Sequence, residues 1–221
     1  MGSITFDGHF SVASNYSNML TLENPYVTPG WNRDANTSRL RSVVNVVWQL
    51  PIGRGHSLLS NAPAIVDRVL GGWQLYWIAY LESGRFFTPS FSGSDPSNTN
   101  TSGGRPDRVC DGNLPPEQRS IDRWFDASCF TAPPAGRFGN SAANVLEGPG
   151  LHLHNISVAK TFAFAERLKF TFTAAALDAF NHPNFAMPAA NISSPGSVGR
   201  ISGLVWSGGS RVIELRGRLT F

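Results

Sequence analysis

The last eleven residues of the chain, Arg211 to Phe221, constrain the fold more than any other segment. Read at a period of two, they separate into an apolar set and a polar set, as the side chains of a strand do on opposite faces of a sheet. The apolar set is Ile213, Leu215, Leu219 and Phe221, with Gly217 between them. The polar set is Glu214, Arg216, Arg218 and Thr220, with Val212 at its start. Such a strand either covers a soluble core or separates lipid from an aqueous lumen.

The same alternation recurs along the chain. It predicts strands at residues 4–14, 38–50, 72–87, 153–164, 168–180 and 210–221. These segments are longer than the usual soluble strand of about five or six residues and suit a tilted membrane crossing. The long connectors 15–37, 88–150 and 181–209 alternate with the shorter connectors 51–71 and 165–167. Outer-membrane barrels have this order, with short periplasmic turns and long external loops.

The predicted fold class is therefore all-β: an antiparallel transmembrane β-barrel segment of about six long strands with long extracellular loops. Six strands are fewer than the eight that close the smallest membrane barrels, and lipid does not tolerate open sheet edges. We therefore expect residues 1–221 to form the C-terminal part of a larger barrel in the outer membrane of a Gram-negative bacterium.

Composition agrees with this prediction and excludes several other classes. Only 15% of the residues are charged, compared with roughly 25% in an average soluble domain. The net charge of +3 is spread along the chain, so the sequence predicts no nucleic-acid partner. No apolar run reaches the roughly 18 residues of a membrane helix, and the first residues lack the pattern of a signal peptide.

The alternation also assigns side chains to faces. The predicted lipid-facing residues of the closing strand are Ile213, Leu215, Leu219 and Phe221. The predicted lumen-facing charges are Glu214, Arg216, Arg218, Arg39, Arg41 and Lys169, which either pair with one another or with a plug, or contact a ligand. Trp48 and Trp73 flank the 51–71 connector and predict an aromatic girdle at the membrane interface. The alternative for the aromatic residues is a sugar-stacking platform, and the roles of Tyr76 and Tyr80 stay open.

Two further residue pairs are candidate sites. Cys110 and Cys129 lie in one predicted external loop, where disulfides persist, so a disulfide is expected. The alternative is two unpaired buried thiols. His152 and His154 share a strand face and are either metal ligands or polar residues near the outer rim. No nucleophile elbow or phosphate-binding loop occurs, so the sequence predicts neither an enzyme nor a cofactor.

Several motifs resemble the C-terminal barrel of Oar-like TonB-dependent receptors, outer-membrane proteins of acidobacterial type with a carboxypeptidase-regulatory-like N-terminal domain. The motifs are Trp48-Gln49-Leu50-Pro51-Ile52-Gly53-Arg54-Gly55, Gly71-Gly72-Trp73-Gln74-Leu75, Glu82-Ser83-Gly84-Arg85-Phe86-Phe87 and Ala179-Phe180-Asn181-His182-Pro183-Asn184-Phe185. The loop from Cys110 through Arg123-Trp124-Phe125 and Cys129-Phe130 to Phe138-Gly139-Asn140 is also similar. The resemblance covers nearly the whole chain, most specifically residues 45–87 and 105–185.

This resemblance implies a barrel of about twenty-two strands around a plug, of which this chain supplies the last six. The implied partners are outer-membrane lipid, the rest of the barrel and its plug, and the TonB energy-coupling complex, reached through an N-terminal region outside this sequence. The terminal Phe221 resembles the aromatic end that barrel-assembly machinery recognises.

The implied function is uptake or binding of a large or scarce substrate across the outer membrane. Two alternatives stay open at this point. The first is a structural or adhesion protein that acts through its long surface loops. The second is a soluble secreted β-sandwich, in which the apolar strand faces would be buried against a second sheet.

Overall fold

Six long antiparallel strands form one sheet in the computed structural model, which describes residues 2–18, 30–164, 167–205 and 210–221. The strands are β1 (Ile4–Val12), β2 (Leu40–Gln49), β3 (Trp73–Glu82), β4 (Leu151–Ala163), β5 (Lys169–Leu177) and β6 (Val212–Thr220). Each strand pairs with the next one along the chain, which gives an up-and-down meander. The predicted antiparallel all-β fold is confirmed.

The strand register gives the sheet one apolar face and one polar face. One row across the apolar face contains Phe6, Val46, Trp77, Ile156, Ala176 and Ile213. The neighbouring row on the opposite face contains Thr5, Val47, Tyr76, Ser157, Ala175 and Glu214. The alternation seen in single strands is therefore in phase across all six.

Strand ends differ from the predicted bounds where the backbone turns. The predicted strand 72–87 was wrong at its end: β3 stops at Glu82, and Phe86–Phe87 pairs separately with Leu146–Glu147. The break lies at Gly84, whose backbone packs so closely on the carbonyl of Gly148 that a side chain would clash. The predicted strand 168–180 was also too long, because Asp178 adopts a left-handed φ of 48° just after β5.

The shorter connector between β2 and β3 contains the helix α1 (Ala64–Leu70). Pro63 precedes the helix, and Gly72 follows it with a φ of 72°, a conformation that favours glycine. The predicted turn at residues 165–167 falls largely outside the described residues, which exclude 165 and 166. Within the described ranges, no helix is both long and apolar enough to cross a membrane.

At the opposite end of the sheet, the described parts of the long connectors fold together into what we term the loop cap (residues 13–18, 30–39, 83–150 and 178–205). It contains two 3₁₀ turns, Pro116–Gln118 and Ala127–Cys129. Its short strand pairs are Tyr16–Ser17 with Asn32–Arg33, Phe86–Phe87 with Leu146–Glu147, Phe91–Ser92 with Gly103–Gly104, and Asp107–Arg108 with Phe130–Thr131.

The loop cap contains a hydrophobic core of its own. Phe125, Cys129, Phe130 and Leu146 are buried together, with Phe87, Ile192 and Val198 packed against them. The connectors are also joined through their backbones, since the Trp124 amide donates to the Gly199 carbonyl at 2.8 Å. Three segments that are distant in sequence therefore form one folded unit.

The apolar face of the sheet, by contrast, is open. Phe6 is 66% exposed and Leu215 is 69% exposed. Among the described residues, no second sheet covers this face, and the two-stranded sheets all lie in the loop cap. The soluble-sandwich alternative requires this face to be buried, so the structure does not support it.

Candidate functional site: a two-faced sheet and an arginine cleft in the loop cap

The apolar face has the dimensions of a membrane-facing band. Trp73 and Leu81 are eight residues apart on β3, which corresponds to about 26 Å along the strand. With the usual barrel tilt of about 40°, this becomes a height of about 20 Å, close to the apolar band of outer-membrane barrels. Ile213, Leu215 and Leu219 lie on this face and are exposed, and Phe221 follows β6 with 93% exposure.

Aromatic side chains stand at both ends of this band. Near the shorter connectors, Trp73 packs edge-on against Phe172 and donates its indole N–H to the Val69 carbonyl at 3.0 Å. Trp48 lies at the same end of the apolar face, opposite Ile4 and Leu75. Indole rings with a hydrogen-bonded N–H suit the headgroup layer of a membrane.

His152 and His154 belong to the aromatic cluster at the other end. The Trp77 indole N–H donates to His154 Nδ1 at 3.3 Å, and the two rings stack with centroids 6.0 Å apart. Phe180 contacts His154 edge-on at 4.8 Å, while His152 lies 5.0 Å from His182. Within the described part of the chain, no three His, Cys, Asp or Glu side chains form a metal-ligating group. The geometry therefore places both histidines in ring contacts at the end of the sheet beside the loop cap.

The polar face carries a buried carboxylate at the outer end of β3. Glu82 accepts a 2.5 Å hydrogen bond from the Tyr80 hydroxyl and a 3.2 Å bond from Arg85 Nε. Arg41 stands 3.6 Å from Glu82 and 5.4 Å above the Tyr80 ring. This cluster gives both Arg41 and Tyr80 partners on the polar face.

The other predicted lumen-facing charges are distributed along the same face. Arg216 pairs with Glu214 on its own strand at 2.6 Å. Arg218 and Lys169 lie on the polar face of β6 and β5, and neither forms an ion pair with a described residue. Arg39 lies just before β2, so the prediction that it belongs to a strand was wrong. It lines the loop cap instead.

A disulfide joins Cys110 to Cys129 in the loop cap, with Cα atoms 4.9 Å apart. Cys129 is buried in the cap core beside Phe130. The 3₁₀ turn that carries Cys129 is capped by Asp126, whose carboxylate accepts from the Ser128 amide at 3.1 Å. The bond thus attaches the exposed segment around Cys110, which follows the short strand Asp107–Arg108, to the core.

The loop cap also contains an open cleft of ≈ 480 Å³. Its lining includes Tyr16, Trp31, Arg33, Arg39, Phe86, Arg108, Asp111, Asn113, Asn144 and Glu147. The guanidinium of Arg33 lies 4.6 Å from the Phe86 ring centroid and 5.5 Å from that of Tyr16. Asn144 donates to the Arg33 carbonyl at 2.6 Å, which ties the wall carrying Arg33 to the neighbouring segment.

The charges of the cleft are unevenly paired. Arg108 pairs with Asp111 at 2.5 Å, and the Asn113 amide, together with the Arg108 charge, lowers the pKa of Asp111 below 3.8. Neither Arg33 nor Arg39 has an ion-pair partner among the described residues. Trp31 at the edge is 70% exposed. Unpaired guanidinium groups beside aromatic rings suit an anionic ligand with a flat or apolar body.

Sequence reasoning singled out Arg39 but missed Arg33, Arg108 and Trp31. The cleft combines residues from the first long connector with residues near 108 and 144. No local pattern links segments so far apart, and a lone arginine in a polar loop carries no signal of its own.

An up-and-down sheet with one lipid-compatible face, aromatic rings at both rims and long loops at a single end defines a membrane β-barrel architecture. The family model of the outer membrane beta barrel domain matches residues 3–214, and the chain belongs to this family. Its location is therefore the cell outer membrane. Neither the curated proteins nor the solved structures contain a match to the chain.

Proposed function

We propose that this chain forms the last six strands of an Oar-like, TonB-dependent receptor that binds and imports a large or scarce substrate. The observation that carries the proposal is the pairing of the sheet: β1 pairs only with β2, and β6 only with β5, among the described strands. Open edges expose unpaired backbone groups, which lipid does not tolerate. In this proposal, further strands pair with these two edges and complete the barrel.

The polar face supplies a wall for a plug in this proposal. Arg218 and Lys169 have no ion-pair partner in the described part of the chain, although both lie on the face away from lipid. Carboxylates of a plug domain are suitable partners for such charges. The plug and the TonB-contacting region would gate the lumen, with no catalytic role for this chain.

The arginine cleft would contribute to capture of the substrate at the cell surface. The cleft favours a ligand that carries an anionic group, because Arg33 and Arg39 have no ion-pair partner among the described residues and its walls are aromatic. The cleft opens in the loop cap, which lies outside the cell if the short connectors face the periplasm.

The test uses the bacterium that makes the protein, with the gene deleted and then restored. Uptake of labelled iron chelates, cobalamins and oligosaccharides is measured with and without a protonophore, because TonB-dependent import needs the proton gradient. We expect uptake of one substrate to be lost in the deletion strain and in the protonophore-treated parent. Unchanged uptake of every substrate in the deletion strain would contradict the proposal.

A second candidate function, adhesion through the loop cap, is favoured by its ordered core and exposed Trp31. Deleting residues 88–150 does not separate the candidates cleanly, because this segment supplies most of the cap core. Arg39→Glu is a sharper change, since Arg39 has no ion-pair partner among the described residues. Reduced uptake with normal adhesion supports the receptor, and the reverse result supports the adhesin.

A further inference from the structure

A second cavity lies at the end of the sheet with the shorter connectors, far from the loop cap. It has a volume of ≈ 400 Å³ and is bordered by the β2–β3 connector and the end of β4. Its lining contains the charged residues Arg54, Asp67, Arg68 and Lys160, together with His56. By the usual orientation of outer-membrane barrels, this end faces the periplasm.

Lys160 is the least expected member of this group, because it occupies the apolar face. The register places it beside Trp73 on β3 and Phe172 on β5. Only 5% of the residue is exposed, and its Nζ donates to the Gly71 carbonyl. The same Nζ lies 5.1 Å from the Phe162 ring centroid. One cation is therefore fixed where the apolar face meets the connector.

The positive charge of the cavity exceeds its negative charge. Asp67 is the one carboxylate in the lining, and its Oδ1 already accepts from the Arg54 amide at 2.6 Å. Arg54 uses its Nε on the Ala62 carbonyl at 2.8 Å, which leaves its terminal nitrogens available. Arg68 forms no ion pair or side-chain hydrogen bond with the described residues. Among the residues that the structure describes, several of these donors therefore have no acceptor.

An orphaned buried atom points to the same place. In the described part of the chain, His56 Nδ1 is the buried side-chain nitrogen or oxygen that has no hydrogen-bond partner. Buried polar atoms are nearly always paired in folded proteins, so an unpaired one calls for an external partner. His56 lines the same cavity as Arg54, Arg68 and Lys160.

We propose that this cavity binds the phosphate of a phospholipid in the periplasmic leaflet of the outer membrane. The apolar surroundings favour a lipid as the source of the phosphate. Phe162 and Phe164 line the cavity, and Phe164 is 69% exposed. On α1, Ile65 and Val69 are one helical turn apart and both exposed. The phosphate would lie among the cations while the acyl chains follow the apolar face.

The test uses the outer-membrane protein that contains this chain, purified in a phosphate-free maltoside detergent. Phosphatidylglycerol, diacylglycerol with the same acyl chains, and inorganic phosphate are titrated separately, and bound lipid is counted by native mass spectrometry. We expect phosphatidylglycerol to bind in preference to diacylglycerol. Inorganic phosphate at equal concentration should leave the lipid bound.

Arg68→Gln and Lys160→Gln should each weaken phosphatidylglycerol binding about fivefold, as expected for one basic residue near an anionic headgroup. Arg68 lies on exposed α1, so its substitution leaves the sheet intact even if Lys160→Gln disturbs it. Arg218→Gln is the matched control: Arg218 lies near the same depth but on the opposite face. The Arg218→Gln protein should bind phosphatidylglycerol as strongly as the parent protein does.

Three results would overturn the proposal. Equal binding of diacylglycerol and phosphatidylglycerol would show that the phosphate is not recognised. Displacement of the lipid by equimolar inorganic phosphate would identify a site for a free anion. An equal loss of binding in Arg218→Gln would show that the effect comes from total charge and not from the cavity.

Discussion

Cys110 and Cys129, nineteen residues apart in sequence, are joined by a disulfide that connects the loop surface to the buried core of the cap. Among the described residues there is no free cysteine. Because the outer surface of a bacterium is oxidising, this bond can persist there. The cap is thus held both by its core and by a covalent link.

Replacing both cysteines by serine should destabilise the loop cap and leave the six-stranded sheet folded. Closing a loop of this size stabilises a fold by about 3 kcal/mol in the chain-entropy model. Trypsin is added to intact outer membranes. We expect it to cleave the cap faster in the double variant than in the oxidised parent protein. Reduction of the parent protein should increase its cleavage rate to a similar degree. Identical cleavage rates with and without the bond would contradict this role.

A carboxylate in the cap should make its stability depend on pH. Asp107 is 7% exposed and accepts hydrogen bonds from Arg137 Nη1 at 2.7 Å and from the Asn140 amide at 3.0 Å. The hydrogen bond from Arg137 is the main cause that lowers the pKa of Asp107 below 3.8. The resulting stabilisation is present above the unfolded pKa and is lost as the pH falls through the folded pKa.

Hydrogen exchange of the Asn140 and Ser141 amides, corrected for intrinsic rates, measures this effect. We expect protection to be constant above about pH 5 and to fall below about pH 4 in the parent protein. Asp107→Asn should reduce protection at neutral pH and flatten the acid dependence. An acid profile that Asp107→Asn leaves unchanged would show that another group controls it.

The sequence predicted the parts of the fold that follow a local repeat, which are the strands. It did not predict the parts that depend on contacts between distant segments. Period-two alternation gave the six strands and their phase, because each strand must present one apolar face. The predicted strand extended too far, to Phe87, because the alternation of apolar and polar residues continues past the backbone break at Gly84. Lys160 occupies a position of β4 whose period-two alternation assigns it to the apolar face. A lysine at such a position was the one feature of the sequence that indicated a cation at the end of this face. The cap core joins Phe125, Leu146 and Ile192 through contacts that no local pattern encodes.

A charge introduced at the middle of the apolar face should hinder membrane insertion. Leu215 lies near the centre of β6 and is 69% exposed. Arginine at the bilayer midplane of a barrel costs about 2–4 kcal/mol. We therefore expect Leu215→Arg to lower the amount of heat-modifiable, folded protein in the outer membrane. Asn45→Arg is the control, because Asn45 lies on the polar face within 3.3 Å of Asp7. Equal assembly of both variants would count against the face assignment.

Phe221, which directly follows β6, is predicted to act during assembly. Phe221 follows β6 and is 93% exposed, so its removal breaks few contacts within the described fold. Deletion of Phe221 should reduce the folded protein in the outer membrane, whereas Phe221→Tyr should retain most of it. If the variant without Phe221 assembled normally, the proposal that the barrel-assembly machinery recognises this residue would be wrong.

One face of this sheet is expected to contact lipid and the other to contact water. Nitroxide spin labels placed singly at positions 213, 214, 215, 216, 218 and 219 of β6 test it, with collision rates measured against oxygen and a water-soluble nickel chelate in the membrane. We expect alternation, with high oxygen and low nickel accessibility at positions 213, 215 and 219 and a lower ratio of oxygen to nickel accessibility at positions 214, 216 and 218. Uniform accessibility along the strand, or the opposite alternation, would contradict it.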